Sequence, residues 1–139
     1  MALRCTLCEV RGLRVGTFRI GDKPRRDDGL RIGTTRYPPR GVPRSRWKKD
    51  HYFDVWFPLV APSARLLQSI RKTGLDNPKV RKHFFNAYRQ ELTRSPASHA
   101  VSLLAALAKT TPIAVGCFCE DETHCHRSVL RDEIARRTP

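Results

Sequence analysis

The chain has 139 residues, which is typical of a single domain of roughly 100–150 residues. Its 27 Lys and Arg against 13 Asp and Glu give a formal charge of +14, and this excess favours an anionic partner. With 40% apolar residues the chain can form a core without disulfides, and charges interrupt every apolar stretch too early for a transmembrane helix.

The start of the chain and its cysteines bear on the cellular compartment. The first ten residues contain no apolar run of the length that a secretory signal needs. Five cysteines, an odd number, in a chain without an export signal predict reduced thiols in the cytosol. We therefore expect one cytoplasmic domain over residues 1–139, with residues 1–12 as a flexible N-terminal segment.

Three strands are predicted in the first half of the chain. Residues 13–20 and 30–36 alternate between β-branched or apolar residues and polar ones, and a turn-forming linker, 21–29, joins them. Residues 37–50 contain three prolines and many basic groups, which predicts a second, irregular linker. Residues 51–60 are predicted to form a strand with one apolar face, made of Phe53, Val55, Phe57 and Leu59.

Helices dominate the second half. Three helices are predicted to begin near Pro62, Pro78 and Pro96, because proline is favoured in the first helical turn. Asn77 and Ser95 precede the second and third prolines as candidate caps. The apolar run 113–118 predicts a central strand buried on both faces. The third of these helices is expected to bury Ala100, Leu103, Leu104 and Leu107, and a last helix is expected to bury Val129, Leu130 and Ile134. This order predicts an α/β fold, a compact three-layer domain with a small, mainly central sheet and flanking helices.

The segment 116–127, GCFCEDETHCHR, carries the strongest chemical signal. It follows the predicted central strand, and ligands of open α/β sheets bind at the carboxyl ends of strands. Three thiols and two imidazoles therefore meet in one loop. Because Cys125 starts the last predicted helix, we expect the helix dipole to lower its pKa.

Three interpretations of this loop remain open. In the first, thiolates and an imidazole bind zinc: Cys117 or Cys119, Cys125, and one of His124 or His126, with Cys119, Cys125 and His124 as the named candidates and Cys5-x2-Cys8 as a further half-site. In the second, a cysteine is a nucleophile beside a histidine base, and the catalytic candidates are Cys117, Cys125, His126 and Arg127. In the third, Cys117 is a buried core residue and His126-Arg127 begins the helix without chemical function.

Basic residues elsewhere suggest binding sites. Arg36 and Arg40 lie just past a predicted strand, so together with Arg127 they are candidates for binding a phosphorylated anion. Trp47 with Lys48 and Lys49 could instead stack on and pair with nucleic acid. A packed Trp47 in a solvated loop is the alternative.

Several blocks carry a family resemblance. The sequence resembles the YeaO-like family of unknown function (domain of unknown function 488) in the order of five blocks: Asp28–Ile32, Arg36–Gly41, Trp56–Ser63, Phe85-x2-Tyr88-x2-Glu91-Leu92, and Cys117 through Cys125-His126-Arg127. It is similar to the branch that keeps the Cys…Cys-His-Arg motif. The resemblance implies a compact α/β domain and brings no established reaction, substrate or cofactor.

Three functional hypotheses follow. The first is an enzyme or binding domain for a small phosphorylated or nucleotide-like anion at an Arg/Cys/His site, with thiol- or metal-assisted catalysis. The second is a basic nucleic-acid-associated module without catalysis. The third is a zinc-stabilised domain without activity. None of the three involves a membrane.

Overall fold

The computed structural model describes residues 7–10 and 13–137, with side chains from residue 15 onward. Five strands form one sheet: β1 Leu7–Val10, β2 Leu13–Arg19, β3 Leu30–Gly33, β4 Val55–Trp56 and β5 Ile113–Cys117. The order across the sheet is β1-β2-β5-β3-β4. β1 runs antiparallel to β2, and the other neighbours are parallel. All five residues of β5 are buried, which confirms the predicted central strand.

Four α-helices accompany the sheet: α1 Ala64–Ser69, α2 Pro78–Leu92, α3 Ala97–Ala108 and α4 His126–Arg136. Asn77 caps α2 by accepting from the Lys79 and Val80 amides, with Pro78 in the first turn as predicted. One face of β2, β3 and β5 packs with residues of α2, α3 and α4 in the main hydrophobic core. The predicted inner residues of α4 are all buried there: Val129, Leu130 and Ile134.

The opposite face of the sheet is covered by irregular chain. Phe18 and Ala114 contact Trp47 and Phe53 from the linker that follows β3, and this linker contains a short 3-10 helix, Arg44–Arg46. The α/β fold class is therefore confirmed. The third layer consists of this segment, whereas the α-helices of the core cover the other face.

Glycines let aromatic rings lie directly on the sheet. A Cβ on Gly116 would stand 2.3 Å from the Phe18 ring, and one on Gly33 would stand 2.3 Å from the Phe53 ring. Arg31 in turn lies over the Phe18 ring, with its guanidinium carbon 4.1 Å from the ring centre. These contacts pack aromatic rings against β3 and β5, which pair in parallel, and the candidate site lies where both strands end.

Three element predictions need correction. Of the strand expected over 51–60, only β4 forms, because Pro58 begins a 3-10 helix directly after it. Its predicted apolar face is also wrong, since Phe53 is buried while Val55 and Leu59 are exposed. Leu103, expected to face the core from α3, is 61% exposed. The strand β1 was not predicted.

Candidate functional site

The site lies at the carboxyl ends of β3 and β5, where open parallel sheets commonly bind ligands. A cavity of about 250 Å³, here called the thiol cavity, opens between these strand ends and helices α1 and α2. Its wall is mostly apolar, with contributions from Leu67, Ile70 and Phe84. The polar and reactive side chains that line it are Thr35, Arg36, Tyr37, Cys117, Cys119 and His126.

The three cysteines of the loop form a thiol cluster: Cys117, Cys119 and Cys125. The Sγ atoms of Cys117 and Cys119 are 3.8 Å apart, since alternation along an extended chain places both on one side. Cys117 and Cys125 are buried, whereas Cys119 is exposed. Cys119 is therefore the thiol of the cluster that a dissolved molecule can reach.

His126 lies behind the cluster in a defined tautomer. Its Nε2 is 2.9 Å from the Thr34 carbonyl oxygen, which can only accept, so Nε2 carries the proton. Its Nδ1 is 3.7 Å from the Cys125 sulfur. Burial lowers the pKa of His126 to about 4, so the ring is neutral at pH 7 and presents the Nδ1 lone pair to Cys125.

The thiol cluster concentrates negative charge on Cys119. Thiol hydrogen bonds from Cys117 and Cys125, with the Arg127 guanidinium nearby, lower the pKa of Cys119 to about 2. Donation to Cys119 raises the pKa of Cys117, and hydrogen bonding to Cys117 and Cys119 raises the pKa of Cys125. The expected lowering at Cys125 is wrong, because this side chain is fully buried among the other thiols.

Two arginines hold the backbone of the cysteine loop. Arg127 is 3% exposed, and its Nη1 donates to the Cys119 carbonyl oxygen at 2.6 Å. Arg19 donates from Nε to the Phe118 carbonyl oxygen at 3.3 Å. Both arginines line a separate, polar cavity with Glu120 rather than the thiol cavity. Arg127 therefore supports the loop from behind.

The other two predicted arginines lie on the opposite side of the loop. Arg36 lines the thiol cavity, and its guanidinium donates to the carbonyl oxygens of Pro62 at 3.0 Å and Ala61 at 2.7 Å. Arg40 is exposed and lines a neighbouring cavity. The structure thus brings Arg36 to the cysteines and leaves Arg127 behind them, so the three arginines do not share one cavity.

One group of side chains could hold a metal ion. The ligand atoms of Cys117, Cys125 and His126, all buried, lie within 4.8 Å of one another. His124 faces elsewhere, with its Nδ1 3.5 Å from Asp76 and 3.6 Å from Asp121. Cys5 and the side chain of Cys8 lie outside the described residues.

Some residues that shape the site carry no distinctive sequence signal. Tyr88 of α2 is fully buried, donates its hydroxyl to the Val60 carbonyl oxygen and meets the His126 ring edge-on at 5.5 Å. The apolar wall from α1 and α2 has the same helical spacing as any core face, so its role was not predictable. Trp47 is 9% exposed and packs against Phe53, so its ring is not free to stack on a base.

No helix among the described residues has the length and apolarity needed to cross a membrane.

A family model matches most of the chain. No curated protein and no solved structure matches the chain. A family model described as the active DUF488-N3 subclade matches residues 15–138 and agrees with the resemblance to domain of unknown function 488. The chain therefore belongs to the DUF488-N3 family, in the subclade described as active.

Proposed function

We propose that the protein binds a small anionic molecule in the thiol cavity and reacts with it through the thiolate of Cys119. One observation carries the proposal: Cys119 is exposed at the cavity while the thiols of Cys117 and Cys125 are buried beside it. A cysteine that is both accessible and held as a thiolate is the form that acts as a nucleophile.

The surrounding side chains supply the remaining needs of such a reaction. The Cys119 sulfur would donate its electron pair to an electrophilic carbon, and the leaving group would depart with the electrons of the broken bond. The Cys117 thiol, 3.8 Å from the Cys119 sulfur, is a proton donor beside the nucleophile. Arg36 is held in place by two carbonyl oxygens, so its positive charge is preorganised for an anion in the cavity.

Alkylation of the native protein tests this proposal. We expect iodoacetamide to modify Cys119 at least about tenfold faster than Cys117 or Cys125, because the latter two are buried and protonated. Mass spectrometry of peptides after a short exposure locates the modified residue. Cys119→Ser is the matched control and removes this modification. Equal rates at Cys119 and Cys125 in the folded protein would contradict the proposal.

Zinc binding is a second candidate, supported by the three buried ligand atoms of Cys117, Cys125 and His126. Zinc–sulfur bonds of about 2.3 Å in a tetrahedron place two sulfurs about 3.8 Å apart. The Cys117 and Cys119 sulfurs have this separation, 3.8 Å, but Cys119 is not in the group whose ligand atoms all lie within 4.8 Å of one another, so its side chain would have to move to become a fourth ligand. The Nε2 hydrogen bond to Thr34 would fix the imidazole, as partners of metal-binding histidines usually do.

Elemental analysis of reduced protein, purified without chelator, separates the two candidates. A zinc centre predicts about one equivalent of zinc in the wild type and loss of it in Cys125→Ser, because a ligand is removed. His124→Ala is the control and should keep the metal, since His124 faces Asp76. Less than about a tenth of an equivalent in the wild type excludes the zinc centre. If zinc binds the Cys119 thiolate, adding a chelator should raise the rate at which Cys119 is alkylated. If it does not, the chelator should leave this rate unchanged.

A further inference from the structure

We infer that the ligand of the thiol cavity carries a phosphate group, and that Arg40 and Arg71 bind this group in an adjoining cavity. This inference rests on the proposed function and adds the chemical class of the ligand. Arg71 was not among the residues that the sequence suggested.

The second cavity, here called the arginine cavity, has a volume of about 520 Å³. It is lined by Tyr37, Arg40, Ala64, Leu67, Gln68 and Arg71. Tyr37 and Leu67 also line the thiol cavity. A ligand that passes Tyr37 therefore extends from the cysteines into the arginine cavity.

The two arginines of this cavity have no partners among the described residues. Most arginines near the site are already paired: Arg36 with backbone carbonyl oxygens, Arg127 with the cysteine loop, and Arg131 with Glu122. Arg40 and Arg71 are exposed, and within residues 15–137 the guanidinium of neither makes a hydrogen bond or an ion pair. Each guanidinium therefore keeps its full set of donors for a phosphate, which it can bind in a bidentate manner.

Charge distinguishes the arginine cavity from the polar cavity behind the cysteine loop. The cavity behind the loop contains Arg19, Arg25 and Arg127, but three acidic residues offset them: Asp22, Glu120 and Glu122. The arginine cavity has two arginines and no acidic residue among its lining side chains. Of these two cavities, only the arginine cavity therefore has a net positive charge for a dianion.

The arrangement also specifies the rest of the ligand. The thiol cavity is mostly apolar, and the ring of Tyr37, 65% exposed, stands where the two cavities join. We therefore expect a flat apolar body beside Tyr37 and the phosphate beyond it. Binding the phosphate away from the reacting atoms would hold the electrophilic carbon near Cys119.

Phenyl phosphate, phenol and inorganic phosphate are suitable probes, because they separate the body from the charge. We expect phenyl phosphate to slow iodoacetamide modification of Cys119 at concentrations where phenol or phosphate has no effect. Arg71→Gln should raise the half-protecting concentration about tenfold, since it removes one charge-assisted contact. Arg65→Gln is the matched control, as Arg65 is exposed on α1, the helix that ends shortly before Arg71, and lines neither cavity.

A thermal shift measurement gives a readout that does not require Cys119 to react. Phenyl phosphate should raise the Tm of the wild type and of Arg65→Gln more than that of Arg71→Gln. Equal protection by phenol and phenyl phosphate, or equal Tm shifts in Arg71→Gln and Arg65→Gln, would overturn the phosphate site and leave thiolate reactivity intact. Conversely, an unreactive Cys119 with an Arg71-dependent Tm shift would refute the proposed reaction and leave the phosphate site standing.

Discussion

The rate at which iodoacetamide modifies Cys119 is expected to stay nearly constant between pH 8 and pH 5. The pKa of Cys119 is lowered to about 2, so the thiolate is the populated form throughout this range. An ordinary cysteine has a pKa of about 8.5, and its thiolate fraction falls roughly a thousandfold from pH 8 to pH 5. From pH 8 to pH 5 the alkylation rate of an ordinary cysteine should therefore fall by about three orders of magnitude, while that of Cys119 should hardly change.

The slope, and not the absolute rate, is the informative quantity. A thiolate of low pKa is a weaker nucleophile, with a Brønsted coefficient of about 0.4–0.5, so Cys119 need not be fast at pH 8. Cys117→Ala is expected to restore part of the pH dependence, because the thiol hydrogen bond from Cys117 is the main cause of the lowered pKa. A free cysteine in an unfolded peptide serves as the reference. A tenfold fall per pH unit at Cys119 would show that its thiolate is not stabilised.

Replacing Arg31 by Met is expected to lower the free energy of unfolding by about 3–5 kcal/mol. Arg31 is 3% exposed, and its Nε lies 3.4 Å from the buried carboxylate of Asp28. Its other donors reach the carbonyl oxygens of Asp22 at 2.9 Å and His51 at 3.2 Å. Methionine would leave the Asp28 carboxylate without its ion-pair partner and two carbonyl oxygens without these donors, which explains the size of the effect.

Urea unfolding followed by circular dichroism measures this change. Arg26→Met is the matched control, because Arg26 is exposed in the connection that precedes β3, five residues before Arg31. It should alter the free energy of unfolding by no more than about 0.5 kcal/mol. Arg31→Lys keeps a charge but loses the planar fork, so an intermediate loss is expected. A loss below about 1 kcal/mol in Arg31→Met would mean that the buried ion pair does not stabilise the fold.

Elements with strong local signals were predictable from the sequence. The start of α2 follows from Asn77-Pro78, since a capping side chain and a proline act within one turn. The central strand β5 follows from an uninterrupted apolar run. The length of β4 and the exposure of Leu103 were not predictable, because pairing and packing with distant residues decide them.

The candidate site was likewise predictable from the sequence only in part. Spacing in the segment 116–127 indicated that several thiols and imidazoles meet in one loop. It did not indicate that Cys119 would be exposed, or that His126 and not His124 would face the thiols. These outcomes depend on where α4 packs against β5 and on the hydrogen bond between His126 and Thr34, which is 92 residues away in the chain.

The structure also shows which of the many arginines lie beside the candidate site with guanidinium groups that have no bonding partner among the described residues. By itself the sequence determined the α/β class, the family resemblance, the position of the cysteine loop after β5 and the excess of arginine. Only the tertiary structure decided which arginines are available to a ligand. The reason is physical: the guanidinium groups of Arg31, Arg36 and Arg127 donate to backbone carbonyl oxygens 8 to 26 residues away in the chain, which folding brings to them. Arg40 and Arg71 meet no such partner among the described residues and stay free beside the thiol cavity.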